Sequence, residues 1–113
     1  MQPLYAVINS GQVISGNVDL TQRALIGITV PVVTSGDLVI QGNVDTTSAN
    51  FVRLLDIRAS GGADLRFPIG VGSRMVMLEN TFSTPPYIRL ETVMATGSLQ
   101  ADARTFTLLT RPR

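Results

Sequence analysis

The sequence predicts an all-β sandwich or barrel, and three observations carry that prediction. Apolar residues recur at every second position through most of the chain, the period of a strand with one buried side. Clusters of Gly, Pro, Ser, Thr and Asn interrupt these stretches about every 10–13 positions, which divides the chain into seven to nine short strands. No window sustains a helical period; a single helical turn at 98–104, SLQADAR, is the most it suggests. At 113 residues the expectation is one domain spanning 1–113, large enough for a real core and too small for two.

The strands follow in order. Residues 1–7, MQPLYAV, read as a strand running out into a short exposed arm. In 13–20, VISGNVDL, Ile14, Gly16, Val18 and Leu20 share one face and Ser15, Asn17 and Asp19 the other. Residues 23–31, RALIGITVP, set Ala24, Ile26, Ile28 and Val30 against Leu25, Gly27 and Thr29. Both faces are fairly apolar, which predicts a central strand stopped by Pro31. After the turn TSGD at 34–37, Leu38, Ile40 and Val44 line one side of the strand that runs to Asp45. Residues 51–58, FVRLLDIR, place Arg53 among Phe51, Leu55 and Ile57, so this strand is an edge or its charge is paired.

The glycines of ASGGAD, 59–64, mark the middle turn. Beyond it Leu65, Phe67, Ile69 and Val71 alternate with Arg66, Pro68 and Gly70; Pro68 has no N–H to give a ladder, so an edge or a bulge is expected. RMVMLE at 74–79 reads as a short buried run. The loop STPP, 83–86, leads to YIRLETVM, 87–94, where Ile88, Leu90 and Met94 oppose Arg89 and Glu91. Last, RTFTLLTR at 104–111 sets Phe106 and Leu108 against Thr105 and Thr107, and LTRPR reads as a second short arm.

One heptad occurs nearly twice: Val-Ile-x-Gly-Asn-Val-Asp at 13–19 and again at 39–45. Asn17 with Asp19, or Asn43 with Asp45, would offer oxygen ligands to a hard cation, but calcium takes six to eight oxygens and neither copy has the spacing of a calcium loop. The match fades soon after, where Gly27 meets Arg53 and Val30 meets Asp56, so two strands with the same local need explain it better than a duplication. Gly16 and Gly42 are expected to point inward, where the opposite sheet or a bulge comes close.

Composition narrows function. Hydrophobic residues make up 44% and charged residues 15%, so disorder is not expected and hydroxyls and amides must cover the surface. All nine basic residues are Arg, spread singly among eight carboxylates for a net charge of +1, which is no stripe for a polyanion; no nucleic-acid partner is expected. With neither His nor Cys, thiolate metal sites, disulfides and the commonest general base are missing, and no metal or cofactor is expected. The serines lack a Gly-x-Ser-x-Gly elbow and the carboxylates are scattered, so no catalytic residue is assigned and the chain is not read as an enzyme. The longest apolar run, 24–33, is too short to span a bilayer and no signal-peptide pattern opens the chain, so no membrane partner is expected. An Arg-aromatic cluster at PPYIRLE, 85–91, could serve as a binding hot spot, although Arg–Glu pairs across a sheet are the commoner reason for such residues.

The order of pieces resembles a group of small bacteriophage virion proteins. The shared pieces are G-x-x-I-S at 11–15, L-x-G-I-x-x-P at 25–31, L-x-I-Q at 38–41, F-x-x-L at 51–54, Y-I-R-L at 87–90 and A-R-x-x-T-L-x-x-R-P at 103–112. This resemblance implies an antiparallel β-sandwich of jelly-roll type that acts as a head decoration or cement protein on the capsid surface of the virion. Its implied partners are the major capsid protein and further copies of itself, with a trimer favoured. Assembly contacts are expected at Pro3, Leu4, Tyr5, Thr110, Arg111, Pro112 and Arg113. Two other roles fit the same sandwich: a tail, neck or baseplate component, and a carbohydrate-binding module, against which the lack of Trp argues.

Overall fold

The computed structural model describes residues 3–31, 36–45, 50–54, 65–68, 74–78, 85–94 and 103–113. Among them are nine strands and no α-helix: β1 (Pro3–Ile8), β2 (Val18–Asp19), β3 (Arg23–Val30), β4 (Gly36–Asn43), β5 (Val52–Arg53), β6 (Arg66–Pro68), β7 (Arg74–Met77), β8 (Tyr87–Met94) and β9 (Arg104–Pro112). They form two antiparallel sheets packed as a sandwich, one in the order β1-β9-β3-β7 and the other β2-β8-β4-β5, with β6 also on β4. β5 and β6 lie end to end on one side of β4, opposite Gln41–Gly42 and Asp37–Val39, and Leu65 N–H donates to Leu54 C=O where they meet. The turn predictions at 59–64 and over 34–35, the strand predictions over 55–58, 69–71 and residue 79, and the helical turn over 98–102 lie outside the described residues.

The pairing is nested. β1 pairs with β9, β2 with β8, β3 with β7, and β4 with β5 and β6, so the first half of the chain lies against the second as a folded ribbon. Two further pairings, β3 with β9 and β4 with β8, join segments of that ribbon side by side and create the sheets.

Between the sheets lies the core: Ala6 and Ile8 of β1, Val18, Leu20, Leu25, Ile28 and Val30, Leu38 and Ile40 of β4, Ile88 and Leu90 of β8, Phe106 and Leu108 of β9. Each large aliphatic buried here contributes about 1.5–3 kcal/mol. The expected alternation holds through β8 and β9, where Ile88, Leu90, Phe106 and Leu108 are fully buried.

It breaks in three places: at Val44, expected beside Leu38 and Ile40 but 80% exposed because it lies past the end of β4, and at two irregular ladders. In β3 the register against β9 shifts between Leu25 and Gly27, leaving Ile26 as the extra residue of a bulge. Leu25 therefore faces the core together with Ile28 and Val30, and the expected single face of Ala24, Ile26, Ile28 and Val30 does not exist. In 13–20, Ile14 bridges Glu91 while Val18 pairs with Ile88, which leaves one residue more on this side of the ladder than on β8. Ser15 is buried in consequence, Gly16 is exposed, and the expectation of an inward Gly16 fails. Gly42 does point inward: a Cβ there would lie 2.5 Å from Pro85 Cγ and 3.1 Å from Leu54 Cδ2.

Ser15 repairs the ladder it interrupts. Its N–H donates to Leu90 C=O, and its hydroxyl takes the place of a carbonyl by accepting from Leu90 N–H, both at 2.9 Å. One further correction concerns 74–78: Met75 and Met77 are 56% and 59% exposed, because β7 is the last strand of its sheet and one face of it meets no second layer.

Candidate functional site

The two sheets turn outer faces of different chemistry to the surroundings. On the β2-β8-β4-β5 sheet, cross-strand rows set Arg53, Gln41 and Arg89 side by side, and next to them Arg66, Val39 and Glu91. Arg53 grips Glu91 as a fork, with Nε on Oε1 at 2.9 Å and Nη2 on Oε2 at 2.6 Å, and Gln41 Nε2 donates to the same Oε1 at 2.8 Å. Arg89 donates from Nε to Gln41 Oε1 and lies 4.6 Å over the Phe51 ring, which it covers. The Arg53 fork holds the Glu91 carboxyl below its ordinary value, with Gln41 adding to the effect and partial burial opposing it. This face spends its polar groups on one another: the network ties the two-residue strand β5 to the sheet and leaves Glu91 in poor position to act as an acid or base.

Both explanations offered by the sequence for Arg53 are met, since β5 is an edge strand and its charge is paired. The 85–91 cluster meets the expectation of an Arg–Glu pair across the sheet at Glu91, but its partner is Arg53 and not Arg89. Arg89 serves Gln41 and Phe51, while Glu91 is paired across the sheet by Arg53.

Among the described residues the other outer face carries no charge across three cross-strand rows, and Arg111 follows next beyond them on β9. Three cross-strand rows build it: Pro3, Leu109, Gly27 and Met77; Tyr5, Thr107, Thr29 and Met75; Val7 and Thr105. Tyr5 is 60% exposed and Val7 40%, alongside the two exposed methionines. Gly27 keeps the first row low, because a Cβ there would lie 3.0 Å from Met77 Sδ and 3.1 Å from Val76 O. In a sheet of this size an uncharged, threonine-and-methionine face is suited to being covered by another surface, since covering it strands no charge.

Six of the seven residues expected to make assembly contacts belong to paired strands rather than to arms, and Arg113 follows directly on the end of β9. Pro3, Leu4 and Tyr5 pair with Leu109, Leu108 and Thr107, and Arg111 and Pro112 pair with Ala24 and Arg23. Pro3 and Tyr5 lie on the uncharged face, Leu4 packs against the core, and Arg111 stands exposed beyond the face's last row. Thr110 is fully buried and its hydroxyl accepts from Arg23 Nη1 at 3.1 Å, which removes its side chain from any contact surface. Arg113 is exposed but anchored, donating from Nε to Leu20 C=O and from its backbone N–H to Gln22 C=O.

The two heptad copies come to lie on either side of β8. Val18 and Gly42 both face Ile88, and Asp19 and Asn43 both face Tyr87. Each copy closes its own turn. Asp19 accepts from the N–H and hydroxyl of Thr21, which lowers its pKa, and Asn43 accepts from Val44 N–H while donating to Asp45. Among the described residues no three His, Cys, Asp or Glu stand together as a metal set.

Sequence reasoning missed the uncharged face. Its members alternate with core residues in four strands far apart in sequence, and only strand order brings them together. The signal in the sequence was indirect: no charged residue sits at alternate positions 3, 5, 7 or 105, 107, 109. No protein-family model matches the chain, and no curated protein matches it.

Proposed function

We propose that this chain is a non-enzymatic structural protein of a bacteriophage particle, a cement protein that decorates the capsid and stabilises it by laying its uncharged sheet face against the major capsid protein. The observation that carries this reading is the contrast between the two outer faces, one locked into an internal Arg–Gln–Glu network and the other free of charge from Pro3 across to Met77. The nested pairing supports it as well, because a ribbon folded on itself into one sheet of four strands and one of five is compatible with a jelly roll, a fold recurrent in virion components. A protein of this kind needs no chemistry. Each specific contact of about 800 Å² per partner adds to capsid stability through binding that only the assembled shell offers.

The test is co-sedimentation of the purified chain with expanded capsids, beside the Met75→Lys and Met77→Lys variants. Saturable occupancy that falls at least tenfold in both variants is the expected result. Binding to tails or baseplates in place of heads would move the protein to the tail, and binding to glycans on an array without capsid binding would replace the reading by a carbohydrate-binding one.

A further inference from the structure

We propose that β1 is an assembly edge whose open side pairs antiparallel with β1 of a second copy about a two-fold axis, joining two four-stranded sheets into one of eight. Among the described residues five strands lie at sheet margins, β1 and β7 in one sheet and β2, β5 and β6 in the other. A marginal strand presents a row of backbone donors and acceptors to any passing strand, and proteins blunt it with brevity, charge, proline or a bulge. Four of the five are blunted. β2 has two residues, ends on Asp19 and follows an irregular ladder; β5 has two and contains Arg53; β6 has three with Arg66 and Pro68; β7 has four and begins at Arg74.

β1 is blunted only by the proline at its first position. Its six residues, PLYAVI, include no charge, and among the described residues no strand pairs along its far side. A second copy of the same strand is the partner it fits. Antiparallel pairing about a two-fold sets no like charges opposite each other, and it gives the exposed Tyr5 and Val7 cross-strand neighbours on the outer face. The uncharged face then runs unbroken across the joint, whereas β7 is shorter and begins with a charged residue.

A strand of six residues is only about 20 Å long, so this edge alone falls short of the about 800 Å² per partner of a lasting interface. Pairing is therefore concentration-dependent in solution and firm where copies are held side by side on a larger body. The symmetry is two-fold, unlike the trimer implied by the sequence resemblance. None of this depends on what the uncharged face binds.

Sedimentation of the full chain over a concentration series tests it. A monomer–dimer equilibrium is expected, with the dissociation constant raised at least tenfold by Tyr5→Lys or Val7→Lys and unchanged by Met75→Lys; all three positions are exposed, and thermal midpoints check that each variant folds. Because the chain has no cysteine, a disulfide can only report contact between copies. Oxidation of a mixture of Tyr5→Cys and Val7→Cys chains should give covalent dimers, and Met75→Cys should give none. A wild-type chain that stays monomeric up to about 1 mM, forms trimers, or loses association equally in Met75→Lys overturns the proposal. Whether the chain binds capsids at all is decided separately by the Met75→Lys and Met77→Lys co-sedimentation, so either reading can fail without the other.

Discussion

Two glycines at equivalent places in the repeated heptad have opposite surroundings, and a methyl group reads the difference. A Cβ on Gly42 would be driven into Pro85 and Leu54, whereas one on Gly16 would meet nothing within 4 Å. Gly42→Ala should cost about 1–3 kcal/mol through forced repacking, and Gly16→Ala should be neutral or stabilising by about 0.4–1 kcal/mol because the unfolded chain loses freedom. Urea unfolding of the two variants measures both. Glu91 supplies the second test at this scale. Its carboxyl titrates below its ordinary value of 4.5 in the folded protein, chiefly through Arg53, so the stability it brings is present above pH 4.5 and is lost as pH falls through the lowered value. Glu91→Gln imitates the protonated state. The thermal midpoint of wild type should exceed that of Glu91→Gln at neutral pH, and the two curves should converge on acidification.

Among the strands, β8 and β9 were legible in the sequence because each keeps one unbroken ladder, with β4 and with β1, and so a period of two. The strands at 13–20 and 23–30 were found in place but with part of each on the wrong face. One inserted residue reverses every side chain beyond it, and nothing in SGN or LIG announces such an insertion by itself. β7 was misjudged for another reason. RMVM has the composition of a buried strand, and its exposure follows from lying last in a sheet, a property of neighbours that no local pattern records. The uncharged face was illegible on the same ground. The irregular ladder beside β8 has its own measurable weak point: Ser15→Ala removes the acceptor for Leu90 N–H and leaves a buried donor unpaired, at a cost of about 1–3 kcal/mol. Hydrogen exchange at the Leu90 amide should quicken well beyond that at Ile88, which still faces intact pairing on both sides.

For the whole molecule, the nested order of strands means that stability is held almost entirely between one half of the chain and the other. β1, β2, β3 and β4 each have their mate beyond residue 50, and the two additional pairings, β3 with β9 and β4 with β8, also cross that line. Neither half owns a complete layer or a closed core. A backbone break between Asp45 and Asn50 would thus cut none of the described ladders while leaving each fragment with nothing of its own to fold upon. Fragments 1–45 and 46–113 produced together should recover one another and co-purify, and each produced alone should show a collapsed or aggregated state by circular dichroism and light scattering. The rolled ribbon is, in effect, a lock and its key written in a single chain, and so a ready scaffold for a two-part reporter whose signal depends on both parts meeting.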